Sequence, residues 1–178
     1  MIDYRLLLKN PQLTAALFVL ALGLASIASA WGFQLIGGYI PCKLCLEQRL
    51  SYYAGLPIAL LALIAAYWIG SGWLARLGLL LFALVMAHSL YLGTYQAGAE
   101  WGFWEGPTDC GATNAGATTS AADLLSQIKK IKIVSCTEAS WRMFGLSFAG
   151  WNAAICAALV IAGLWGAAMP APKNKTAE

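Results

Sequence analysis

Five cysteines and a few polar residues carry the reactive chemistry of this chain. Cys42 and Cys45 form a Cys-x-x-Cys pair inside Pro41-Cys42-Lys43-Leu44-Cys45-Leu46-Glu47-Gln48-Arg49. Proline suits the first residue of a helix, so the segment predicts a helix opening at Pro41 with both cysteines on one face of its first turn. The positive end of the helix dipole favours a thiolate there. Arg49 lies one turn beyond Cys45 on the same face, and its permanent charge would hold an anion at Cys45. A stabilised thiolate leaves readily and exchanges readily, so the pair reads as redox-active. A zinc site fits less well. Its second half would be Cys110 and Cys136, twenty-six positions apart, and His88, the one histidine, lies inside an apolar run. No metal is therefore expected. An inert structural disulfide would need no arginine beside it. Cys110 and Cys136 enclose a polar, glycine-rich stretch; read alone, they suit a plain loop-closing bridge as well as a labile, exchangeable one. Two cysteine pairs in series shift the balance toward a relay. Cys156, in the middle of an apolar run, reads as a small buried hydrophobe.

The elements that must position these sulfurs are membrane helices. Of 178 residues, 60% are hydrophobic and 11% charged, against roughly a quarter charged in an ordinary soluble domain. That balance excludes a water-soluble globule and, for the bulk of the chain, intrinsic disorder. The net charge of +3 is too small and too scattered for a nucleic-acid partner. Four apolar stretches, at about 13–36, 50–69, 73–93 and 145–169, are each long enough for the roughly 20 residues that cross a bilayer as helix. The expected fold is an all-α, four-transmembrane-helix bundle, a single integral membrane domain over 1–178, with external loops at 37–49 and 94–144. Within the longer loop, Leu124, Leu125, Ile128 and Ile131 fall on one helical face with Lys129, Lys130 and Lys132 around them. This predicts a short amphipathic helix over Ala121 to Val134, lying on the membrane surface or packed on the protein itself. Ala28-Ser29-Ala30 mimics a signal-peptide cleavage site, but the apolar run continues past it, which favours an uncleaved first span.

An even number of spans puts both termini on one side. Charges close to the spans then stand five against three in favour of cytoplasmic termini. The cysteines give a stronger reason. Four of them share the opposite face, and paired cysteines persist in an oxidising compartment such as the periplasm.

The chain resembles the bacterial inner-membrane disulfide bond formation protein B (DsbB) family. The likeness rests on four spans, Pro-Cys-x-x-Cys with Gln48-Arg49 before the second span, and a long second external loop with one cysteine pair. It extends to Tyr95-Gln96-Ala97-Gly98-Ala99-Glu100-Trp101 and on through Gly106-Pro107 to Cys110. The resemblance implies a protein-disulfide:quinone oxidoreductase that sustains disulfide bond formation outside the cytoplasm. Cys110 and Cys136 would be the disulfide presented to a periplasmic DsbA-like thiol oxidase, with Cys110 attacked first. Cys136 would pass electrons to Cys42, and Cys45 would meet a bound ubiquinone or menaquinone as a charge-transfer thiolate supported by Arg49. That DsbA–DsbB–quinone route keeps the periplasm oxidising. Many relatives carry a histidine in the Tyr-x-x-Gly segment, where this chain has Gln96 and Ala97. Gln96 can donate a hydrogen bond to a quinone oxygen but cannot shuttle a proton. His88, an ionisable residue within a span, is a further candidate for the quinone site, or else makes a helix-packing hydrogen bond. The rival readings are a relative specialised for one dedicated partner and a non-enzymatic membrane scaffold with two structural disulfides.

Overall fold

The computed structural model describes residues 10–70, 72–107 and 132–170. Four helices dominate it: α1 (Pro11–Leu35), α2 (Lys43–Ile64), α3 (Gly72–Glu100) and α4 (Phe148–Ala168). α2 ends in a wider π-helical turn, Ala65–Ile69, closed by Gly70 in the left-handed conformation (φ 67°). All four are long and apolar enough to cross a membrane. Two short ladders join the helices at one end. The first pairs β1 (Tyr39–Ile40) with β2 (Lys132–Ile133) in parallel, and the second is a hairpin of β3 (Arg142–Met143) and β4 (Leu146–Ser147). The hairpin turns through Phe144 and Gly145, both at positive φ (52° and 84°), as a tight two-residue turn requires.

Side-chain caps start three of the helices. Asn10 Oδ1 accepts from Leu13 N at 3.2 Å with Pro11 behind it, Cys42 Sγ accepts from Cys45 N at 3.3 Å, and Ser147 Oγ accepts from Gly150 N at 3.1 Å. α3 is packed on both α2 and α4, and α1 closes the bundle against α2 and α4. Val19, Tyr52, Ala59, Leu79, Phe82, Met86, Cys156 and Leu159 fill its interior. Outward-facing Leu24, Leu61, Leu84 and Ile161 are exposed, as helices solvated by lipid allow. Lipid tails are as apolar as leucine, so close backbone approach matters more than apolar burial. At Gly163 the α4 backbone lies so near α3 that a Cβ would stand 3.2 Å from the Leu79 carbonyl. At the end of the bundle away from Cys42, the Met169 carbonyl accepts from Arg76 Nε and Nη2 at 3.1 and 2.7 Å and from Gln12 Nε2 at 3.3 Å.

The all-α bundle agrees with the expectation; several boundaries do not. α2 begins at Lys43, within two residues of the helix start expected at Pro41 and ahead of the apolar stretch at residue 50, and α3 runs to Glu100 rather than 93. Hydropathy marks where hydrocarbon ends, whereas these helices continue past it on caps and tertiary contacts. Pro41 precedes the helix instead of opening it, because the Cys42 sulfur takes the capping position. The fourth helix starts at Phe148, after the hairpin. The expected amphipathic helix falls mostly outside the described residues, and its last residues are corrected: Lys132–Ile133 are strand, held by the ladder to Tyr39–Ile40.

Candidate functional site

The parallel ladder brings the two cysteine-bearing segments together. Val134 N donates to Ile40 O at 3.1 Å, so the chain leading to Cys136 runs alongside the chain leading to Cys42. Cys42 and Cys136 are buried (1% and 0% exposed) in one cluster with Leu44 and Leu92, against which Cys45 and Tyr95 pack. Cys136 is disulfide-bonded, while Cys42 and Cys45 are free thiols. Cys110 lies outside the described residues.

Within the Cys-x-x-Cys pair the sulfurs stand 2.8 Å apart, against about 2.05 Å in a disulfide. The Cys42 thiol is pushed far above the usual cysteine range, chiefly by its hydrogen bond with Cys45 and then by burial. Cys42 therefore keeps its proton and donates it toward the Cys45 sulfur, which is the arrangement that favours an anion on Cys45 rather than on Cys42. Gln96, from α3, points its Nε2 at both sulfurs from 3.8 Å.

Cys45 also lines a cavity of about 440 Å³ between α1, α2, α4 and the loop ladders; Cys42 does not. That volume is in the range of small-molecule sites. Its walls are mainly apolar and partly aromatic. Trp141 and Phe148 stack with centroids 4.8 Å apart, and Phe33 meets Phe148 edge-on at 4.9 Å. Its polar groups include Gln34, Cys45, Gln48, Arg49, Tyr52, Gln96 and Asn152. Arg49 Nη1 donates to Gln34 Oε1 and Nη2 to the Ala30 carbonyl at 3.1 Å, with the guanidinium 5.6 Å over the Trp31 ring. It thus ties α1 to α2 at the cavity wall while keeping its charge one turn from Cys45.

A buried chain of amides fixes Gln96. Gln48 Nε2 donates to Gln96 Oε1 at 2.8 Å, Asn152 Nδ2 donates to Gln48 Oε1 at 2.7 Å, and Tyr52 O–H donates to Asn152 Oδ1 at 2.8 Å. With its oxygen engaged by Gln48, the Gln96 amide has its N–H₂ turned to the sulfurs. Gln48, Tyr52 and Asn152 were not among the sequence candidates. Two signals pointed to them: Cys45, Gln48/Arg49 and Tyr52 recur at helical spacing on one stripe of α2, and an amide at 152 interrupts an apolar span.

The remaining candidate is set apart. His88 is exposed; its Nδ1 lies 3.3 Å from Ser51 Oγ, beside a separate pocket of about 230 Å³ bordered by Glu47 and Leu50. The structure does not bring it to the cavity that holds Cys45, and a contact between α2 and α3 is what it makes. Among the described residues, no three His, Cys, Asp or Glu side chains converge as a metal ion would need.

The family model for disulfide bond formation protein DsbB matches residues 12–166. The chain belongs to the DsbB family. A DsbB-family protein has a role in disulfide bond formation, which places this multi-pass membrane protein among disulfide oxidoreductases. It is also 24% identical over 146 residues to the uncharacterized protein RP370 of Rickettsia prowazekii (strain Madrid E), covering 82% of this chain and 81% of that one. No solved structure matches it.

Proposed function

We propose that this protein oxidises a soluble DsbA-like dithiol oxidoreductase by disulfide exchange and passes the electrons to a membrane quinone, ubiquinone or menaquinone. The observation that supports this best is the split within the Cys-x-x-Cys pair. Cys42 is buried with Cys136, whereas Cys45 faces an apolar cavity beside Arg49. In this reading Cys42 exchanges with the loop cysteine and Cys45 meets a lipid-soluble oxidant.

The exchange steps balance bond for bond. A thiolate of the partner attacks Cys110 of a Cys110–Cys136 disulfide, which forms a mixed disulfide and frees Cys136 as thiolate. Cys136 attacks Cys42 of an oxidised Cys42–Cys45 pair and frees Cys45. The partner's second thiolate resolves its own mixed disulfide and frees Cys110, which then attacks Cys136 and leaves Cys42 and Cys45 reduced. The partner loses two electrons and two protons overall. The chemistry that a quinone supplies when bound is a two-electron, two-proton sink that diffuses away in lipid. The cavity fits such a group: it is mainly apolar and partly aromatic, with Arg49, Gln48 and Gln96 available to its polar end. In this two-electron couple each 30 mV of favourable potential is about 1.4 kcal/mol, so a strongly oxidising acceptor drives the relay.

In the same reading the sulfur end faces the periplasm across the bacterial inner membrane, and both termini are cytoplasmic. The test is oxidation of a candidate partner by purified protein in detergent with added quinone. Oxidation that needs quinone and is lost in Cys45→Ser supports the assignment; quinone-independent oxidation, or full activity in Cys45→Ser, overturns it. Cys136→Ser is expected to trap a partner adduct through Cys110 on a non-reducing gel.

A further inference from the structure

Glu100 ends α3 on the sulfur side of the bundle and has no place in the exchange steps above. With 29 residues, α3 is about 43 Å long at 1.5 Å per residue, so its last turns extend beyond the roughly 30 Å hydrocarbon layer. The carboxyl is nonetheless partly enclosed. Oε1 accepts from Gln96 Nε2 at 3.5 Å, and Oε2 is buried with no hydrogen-bond partner among the described residues. The groups facing it come from three sides. Arg142 of β3 contributes its charge and donates from Nη2 to the Glu100 carbonyl at 3.5 Å, and the Ser147 hydroxyl at the start of α4 lies beside the carboxyl. Through Gln96 it also meets Cys42 and Cys45 of α2.

Gln96 is therefore an amide with a carboxyl on one side and two sulfurs on the other. Its oxygen is already committed to Gln48, so its two N–H hydrogens face three acceptors, the carboxyl and the two sulfurs. It has no proton to give up, and two anions across one amide oppose each other. We propose that Glu100 and Cys45 share one negative charge across Gln96, so that when Cys45 is a thiolate the Glu100 carboxyl holds the proton. When the charge moves, the Cys45 S–H bond breaks, an O–H bond forms at Glu100 and the bonding pair stays on sulfur; no electron changes owner. The coupling is an equilibrium one, carried by the shared amide and by mutual repulsion, and needs no direct contact between carboxyl and sulfur. Glu100 is thus a positioning residue that acts through Gln96 and lets the site gain a thiolate without gaining net charge. This deepens the proposed function, since it rests on Cys45 being the reactive sulfur.

Linkage is reciprocal, and the test uses that. The reduced full-length protein in detergent, with neither quinone nor partner, is alkylated with iodoacetamide across a pH series and the Cys45 adduct is quantified. In Glu100→Gln the rate profile is expected to move to lower pH, with about tenfold faster alkylation below the wild-type midpoint, a shift of about one pH unit. In parallel, infrared difference spectra follow the protonated carboxyl band. In Cys45→Ser that band should disappear at lower pH than in wild type. Superimposable alkylation profiles, or a carboxyl band indifferent to Cys45→Ser, would overturn the proposal. The infrared arm leaves Glu100 in place, so it decides the matter even where Glu100→Gln does not fold. Loss of quinone-dependent oxidation in the wild type would instead sink the proposed function and leave this coupling standing.

Discussion

Gln48→Leu is the most informative perturbation of the buried amide chain. Gln48 is 5% exposed and joins three helices, donating to Gln96 on α3 and accepting from Asn152 on α4. Leucine fills a similar volume but leaves Gln96 Oε1 and Asn152 Nδ2 without those partners. A buried orphan costs about 1–3 kcal/mol by soluble-protein measures. Hydrogen bonds between membrane helices average only about 0.6 kcal/mol, with a maximum near 1.7, because the unfolded chain in lipid finds other partners. Two lost bonds therefore predict a destabilisation of about 1–3 kcal/mol. A cycle with Asn152→Leu isolates one of them: the double variant should be less destabilised than the two single variants together, by about 0.6–1.7 kcal/mol. The assay is reversible denaturation in detergent micelles, read by tryptophan fluorescence. Strict additivity, or a Gln48→Leu variant as stable as wild type, would refute the idea that this chain of amides joins the helices and orients Gln96.

Other outcomes follow from the same geometry. Because the Cys42 thiol is pushed above its ordinary range by its bond to Cys45 and by burial, it stays protonated as pH rises through the range where an ordinary cysteine ionises. Peptide mapping after brief alkylation of reduced protein at pH 7–8 should then find Cys45 modified at least about tenfold faster than Cys42, since the thiolate is the nucleophile; equal rates would contradict the assigned hydrogen-bond direction. Gly166→Leu should cost about 1–3 kcal/mol by overpacking, because even a Cβ there meets Ala15 and lies 2.8 Å from Leu79 Cδ1, whereas nothing stands within 4 Å at Gly32. Melting of the two variants in detergent checks this, with Gly32→Ala expected at or above wild type. His88→Ala should leave quinone-dependent turnover within about twofold, since His88 borders a different pocket; a tenfold loss in initial rate would bring it back to the site.

The four spans were legible because about 20 apolar residues have few other uses. Helix ends were less so: Pro41 announced the early start of α2, but neither the sulfur cap at Cys42 nor the contacts made by α3 past residue 93 is registered by hydropathy. The sulfur pair and Arg49 were visible as types and spacings, and Gln96 through the family resemblance of its segment. The depth of the site was not, because Gln48, Tyr52 and Asn152 meet only when three helices pack. His88 shows how helical phase decides such questions. Its neighbour Ser89, about 100° further round α3, faces the interior and donates to the Gln48 carbonyl at 3.4 Å, while His88 itself is exposed.

The most direct measurement follows the Cys45 sulfur into its cavity. Purified wild-type protein, with quinone titrated against Trp141 and Trp151 at the cavity wall, should show saturable fluorescence quenching and, once a thiol partner is added, quinone reduction matched one to one by partner disulfide. Cys45→Ser should keep the quenching and lose the reduction. Partner oxidation that proceeds equally well without quinone, or reduction that survives Cys45→Ser, would contradict the relay at its central step.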